Sequence, residues 1–217
     1  MTMEPILYPK KVTLGAGIVG GIAGGAVMYG IMSTLMTQIG LGANCFVIIV
    51  GLITGQSYEN ALGPGITAHF LTSIAIGVAF GAIINVKKLQ IRGFGKGIGL
   101  GVATGVIAFA VIFVPIAMTI LPTHMMDLMK MMPMGNTAMP ENNMKDTSMS
   151  TSSQMQDKPS MDEKMKIEEI NKMIMEENAK LFPMILAGAF VSHIAFGAAL
   201  GLVITPIVKR SAEKSGR

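Results

Sequence analysis

Four long apolar stretches, at 12–36, 64–86, 97–121 and 182–208, set the pattern of this chain. Each is long enough to cross a hydrocarbon layer of about 30 Å, which takes about 20 residues as a helix. A fifth stretch, 43–55, holds only about thirteen residues, a length that suits a re-entrant or interfacial segment better than a span. The connector Gly55-Gln56-Ser57-Tyr58-Glu59-Asn60-Ala61-Leu62-Gly63 is polar, turn-rich and short, so a five-span arrangement stays open as the alternative. The pattern changes between the third and fourth spans. From Gly135 to Pro159 there is no hydrophobic period, and weak order is expected. Ser160-Met161-Asp162-Glu163 then reads as a capping box opening an amphipathic helix over 161–178, with Ile167, Ile170, Ile174 and Leu181 on one stripe. That helix belongs on the membrane surface or over the bundle. The predicted fold is an all-α membrane protein with four transmembrane helices and a short outer re-entrant or interfacial segment. Its parts are 1–121, an outer loop 122–181, and 182–217.

Within the spans, small residues recur every fourth position: Gly17, Gly21 and Gly25; Gly77 and Gly81; Gly97, Gly101 and Gly105; Gly197 and Gly201. Lipid gives helices no hydrophobic reason to associate, so such ladders predict close backbone contact and Gly-xxx-Gly packing. The segment Ala75-Ile-Gly-Val-Ala-Phe-Gly, leading to Lys87-Lys88, parallels Ala195-Phe-Gly-Ala-Ala-Leu-Gly, leading to Lys209-Arg210. His69 and His193 each precede one of these ladders. A two-fold internal repeat follows as an expectation, two helix pairs with the short segment inserted in one and the long loop in the other.

Composition agrees with the membrane reading: 51% of the 217 residues are hydrophobic and 14% charged, with mean hydropathy +0.56. Charge orients the spans. Lys10 and Lys11, then Lys87, Lys88, Arg92 and Lys96, then Lys209, Arg210, Lys214 and Arg217 form three basic clusters at span ends. All three lie on one side if 43–55 does not cross, and the positive-inside rule makes that side cytoplasmic. Both termini are then cytoplasmic in a multi-pass protein of the cell membrane, with 122–181 outside. That loop carries seven Lys against ten Asp or Glu. The basic residues thus speak for orientation and not for nucleic acid. The single cysteine, Cys45, excludes an internal disulfide and Cys-based zinc or redox motifs.

The candidate chemistry is in the methionines. Fourteen of 21 fall between Pro122 and Leu181, and the loop begins with His124, Met125, Met126, Met129, Met131, Met132 and Met134 in close succession. Thioether sulfur is a soft ligand that favours Cu(I), and imidazole beside it can hold copper in both oxidation states. The bland alternative is a flexible, adaptable surface for partner proteins. Met28, Met32 and Met36, spaced i, i+4, i+8, share one face of the first helix. They are either further copper ligands or a packing stripe. His69 and His193 sit at membrane depth, where an ionisable group is a functional candidate, and metal ligation stands beside a plain bond to a backbone carbonyl.

The Met-xxx-Met spacing of the first helix resembles that of high-affinity copper transporters, whose outer termini are also methionine-rich, although this chain has four spans and not three. The histidine leading into a glycine-patterned span, clearest over Leu14–Val86, is similar to an uncharacterised family of small four-helix membrane proteins; that likeness implies the fold and no chemistry. No nucleophile, base and orienter set, Walker sequence or paired metal-enzyme motif occurs, so a non-enzyme is expected. The leading functional expectation is a membrane protein that binds or passes copper through outer methionine sites. The rival is a non-catalytic accessory subunit of a larger membrane complex, and membrane lipid with copies of itself or complex subunits are the partners expected.

Overall fold

In a computed structural model the described residues are 8–39, 44–123 and 161–214; for Lys87, 121–123, 161–171 and 173–181 only the backbone is described. The chain forms two compact units, Met1–Pro133 with Leu186–Arg217, and Met134–Ile185. Of the second, the described part is helical backbone. No strand occurs among the described residues. The helices are α1 (Lys10–Gln38), α2 (Cys45–Thr54), α3 (Tyr58–Ile83), α4 (Phe94–Ala108), a π-helical stretch (Phe109–Phe113), α5 (Val114–Thr123) and α6 (Met161–Lys214). Four of them are long and apolar enough to cross a membrane: Lys10–Gln38, Tyr58–Ile83, Phe94–Ile120 and Phe182–Lys214. Large apolar side chains stand on their outer faces, among them Leu71, Ile107 and Val111, as expected of helices that meet lipid.

The ladders pair the helices as the repeat predicts. On α1 and α3, Thr13 meets Gly81, Gly17 meets Gly77, and Gly21 meets Ser73, so the two run antiparallel; a Cβ added to Gly21 would lie 2.5 Å from the Ser73 carbonyl oxygen. On α4 and α6, Gly97 meets Gly201, Gly101 meets Gly197, and Gly105 meets the His193 carbonyl. Across the pairs, Gly20 and Gly24 of α1 receive Leu200, Ile204 and Phe196 of α6, all buried. Phe80 and Ile84 of α3, at the repeat positions of Leu200 and Ile204, are likewise buried.

The short apolar segment folds as α2, ten residues long. At 1.5 Å per residue it reaches about 15 Å, half a hydrocarbon layer. It lies against α3, where Gly65 lets Val47 approach to within 2.7 Å of a would-be Cβ. Asn44 joins three elements: its side chain accepts from Phe46 N–H at 3.0 Å, its amide donates to Ser33 Oγ at 2.7 Å, and its backbone N–H donates to Tyr58 Oη at 2.9 Å. Gly55 closes α2 at φ +68°, a conformation that glycine adopts without steric cost.

Two boundaries differ from the sequence reading. Helix α3 begins at Tyr58, not at Pro64, so six of the nine residues of the connector expected to be irregular are helical. Pro64 lies inside the helix, in its second turn, where its missing N–H leaves the Asn60 carbonyl without the usual i→i−4 donor, and Glu59 in the first turn suits the positive end of the helix dipole. The helix expected to end near 178 is part of α6, whose helical backbone runs from Met161 to Lys214.

The antiparallel pairing brings the described basic residues of all three clusters to one end of the bundle. There Tyr8 Oη donates to the Ile91 carbonyl, Asn85 Nδ2 donates to Thr13 Oγ1 at 2.7 Å, and Lys96 Nζ donates to the Lys88 carbonyl at 3.0 Å.

Candidate functional site

Towards the opposite end the helices part around a cavity of about 220 Å³. Its walls are apolar, with Phe46, Ile49, Val50 and Ile53 of α2 on one side and Ile112, Phe113 and Ile116 on another. The polar side chains that reach it are Thr72, Ser73, His69 and His193, and Met28 of α1 also borders it. Among the described residues no carboxylate does.

Each histidine is held by its own half of the repeat. His69 Nε2–H donates to the Gly25 carbonyl at 2.9 Å, a reach across to α1 that the close approach of α3 at Gly25 permits. The Phe46 ring stacks on it at 3.9 Å between centroids, with Phe70 and Tyr29 at 5.3 and 6.0 Å. His193 Nδ1–H donates to the Ala189 carbonyl one turn back on α6, at 2.7 Å. Phe109 and Phe113 flank that ring at 5.4 and 5.7 Å. Both belong to the π-helical stretch, whose extra residue re-aims the helix just before Pro115. Phe70 and Phe190 precede their ladders at the same repeat position; Phe70 stands beside the His69 imidazole, and Phe190 packs on Phe109, which in turn flanks His193.

Because a carbonyl oxygen can only accept, the bonded nitrogen of each ring carries hydrogen, and in the neutral ring the other nitrogen is an acceptor. These second nitrogens, Nδ1 of His69 and Nε2 of His193, make no described hydrogen bond and are not sealed off by protein; the cavity is the open space both rings border.

Met28, Met32 and Met36 all turn inward, at 6%, 0% and 2% exposure, so the i, i+4 face is the buried one. The column ends with Met28 at the cavity, beside both histidines. His124, Met125, Met126, Met129, Met131, Met132 and Met134 lie outside the described residues. Among the described residues no three His, Cys, Asp or Glu come together as a metal site; the soft donors that gather are thioether and imidazole.

No known family, curated protein or solved structure matches this chain.

The structure brings together Met28, His69 and His193, which the sequence placed on three separate helices. Sequence reading missed the wall that α2 contributes, Phe46 above all, and the joint at Asn44. An asparagine just ahead of an apolar run is an N-cap signal, but nothing local ties it to Ser33 and Tyr58.

Proposed function

We propose that the protein binds copper as Cu(I) at thioether sites and passes it inward from the loop 122–181 to Met36, Met32 and Met28. The reading takes the basic end as cytoplasmic, so the loop and the cavity end lie outside. One observation carries it: three methionines at consecutive turns of α1 are all buried, in a helix whose neighbouring apolar residues, Ile18, Val19, Ile22 and Val27, remain outside. A packing stripe needs only apolar volume, which leucine supplies with a better-defined rotamer. Sulfur adds a soft donor that holds its lone pairs at any pH and binds Cu(I) in preference to harder ions. Several weak, interchangeable loop thioethers would collect the ion, with His124 as the strongest single ligand among them.

The test is stoichiometric Cu(I) binding by the full-length protein in competition with a bidentate chelator. Changing Met125, Met126, Met129, Met131, Met132 and Met134 together to Leu should remove most of the bound copper. Changing Met28, Met32 and Met36 to Leu should remove the tighter, inner fraction while costing under about 1.5 kcal/mol in stability, since the swap conserves volume. Wild-type protein that binds no Cu(I), or both variants binding it as wild type does, refutes the proposal and leaves the methionines as packing and surface.

A further inference from the structure

The cavity has features that a path for a cation does not require. Its walls are apolar, and among the described residues no carboxylate lines it. A hard, strongly hydrated cation brought there would lose its water with no anionic partner. A lipophilic molecule would lose nothing. Two lining residues, Ile53 of α2 and Ile112 of the π-helical stretch, are also 60% and 37% exposed, so the cavity is bordered by residues that reach the outer surface of the bundle. The helices that line the cavity also carry Leu71, Ile107 and Val111, at 62%, 62% and 68% exposure. A solute dissolved in the bilayer meets these apolar surfaces directly.

Size and hydrogen bonding narrow the ligand further. An apolar cavity of about 150 Å³ accepts benzene, so about 220 Å³ holds one ring with a few substituents. Among the site's polar side chains only the Ser73 hydroxyl is free to donate as well as accept, and the rest offer acceptors. The N–H of each imidazole is committed to a carbonyl, and the Thr72 hydroxyl donates to the Ala68 carbonyl at 2.8 Å. The nitrogens the histidines leave uncommitted are His69 Nδ1 and His193 Nε2, one acceptor from each half of the repeat, on rings that both border the cavity. Such a site selects a molecule that donates and disfavours an isostere that only accepts, because buried acceptors facing an acceptor stay unpaired.

We propose that this cavity is a binding site for a ring-sized lipophilic diol, such as a dihydric phenol, which enters from the bilayer and donates its two hydroxyl hydrogens to His69 Nδ1 and His193 Nε2. The proposal is independent of the copper reading, and nothing in it requires the methionine-rich loop.

The probe pair is 4-hexylresorcinol and its dimethyl ether, which share a ring and tail but differ in whether the oxygens donate. Calorimetric titration of the full-length protein in lipid nanodiscs, with empty nanodiscs subtracted, should show one saturable site for the diol. The ether should bind about tenfold more weakly or worse, since each lost hydrogen bond costs on the order of a kilocalorie. His69→Leu and His193→Leu should each reduce that preference severalfold while leaving the affinity for the ether nearly unchanged. Ile49→Trp, which fills the space and spares both histidines, should abolish diol binding in a protein whose Cys45 stays protected from thiol reagents. Absence of saturable diol binding by the wild-type protein, or equal affinity for diol and ether, overturns the proposal. So does a preference that survives in well-folded forms of both histidine variants.

Discussion

Two glycines on α4, two positions apart, should respond in opposite directions to the same added methyl group. Around Gly99 there is no atom within 4 Å of a would-be Cβ. Gly99→Ala therefore adds no clash and removes the conformational freedom that glycine gives the unfolded chain, a gain of about 0.5–1 kcal/mol. At Gly101 the added carbon would lie 2.9 Å from Gly201 N and closer still to the Gly197 carbonyl oxygen. Those atoms are backbone and cannot rotate away. To restore a contact of about 3.5 Å the helices must separate by roughly 0.5 Å or more, which forfeits a quarter to a half of the dispersion well wherever the ladder opens. Overpacking of this kind costs about 1–3 kcal/mol, more than the propensity gain offsets. The chain supplies its own reporter, since its single cysteine, Cys45, is buried on α2, far along the sequence from the substitution. Thiol labelling during graded denaturation in mixed micelles reads the folded fraction. A net loss of about 2 kcal/mol shifts the labelling equilibrium about 30-fold toward the open form. Gly101→Ala as stable as wild type, or Gly99→Ala equally damaged, would mean that α4 and α6 do not meet through their backbones.

Two further outcomes follow from the joints between elements. Asn44→Ala removes the cap of α2 and its bond to Ser33, worth about 1–2 kcal/mol, so Cys45 should label faster under native conditions while the global midpoint moves less. Burial holds the Tyr8 hydroxyl above its usual pKa near 10, with Arg92 opposing in smaller measure. The folded state then keeps this proton more tightly than the unfolded chain does. Its stabilising effect is complete below pH 10 and fades as pH rises past that value. Tyr8→Phe should flatten that alkaline loss, and an unchanged alkaline limb would show that another group is responsible.

The pairing of helices was legible in the sequence because it rests on glycine spacing, a local pattern that backbone contact translates directly into geometry. Gly17 with Gly77 and Gly101 with Gly197 follow from the ladders and the repeat. The start of α3 was less legible, since Tyr58, Glu59 and Asn60 resemble a turn until the first helical turn is recognised as a polar end. The cavity was not legible. His69 and His193 each announced themselves as polar residues in apolar spans, but their common opening depends on α2 leaning on α3 at Gly65 and on a π-helical stretch that reorients Phe109 and Phe113. Those are tertiary choices with no periodic signature.

The ladders also bear on how the chain avoids assembling wrongly. Contacts between bare backbones are almost indifferent to which glycine-faced helix supplies the other side, and a slip by one turn brings glycine against glycine again. The two halves therefore offer near-interchangeable ladders: the Gly17 and Gly21 face that α1 gives to α3 would also accept the Gly197 and Gly201 face of α6, although in the fold α6 meets α1 at Gly20 and Gly24 through Phe196, Leu200 and Ile204. Discrimination has to come from groups that occur once. At the basic end Asn85 finds Thr13 in one half, whereas the other half has Thr205, which donates to its own helix at the Gly201 carbonyl. Tyr8 then ties the chain start to Ile91, between the halves. Synthesis order adds a second filter, because α3 emerges while α1 is the available partner. Exchange of these single markers between halves, with every glycine left in place, is the change most apt to yield a stable but misregistered bundle.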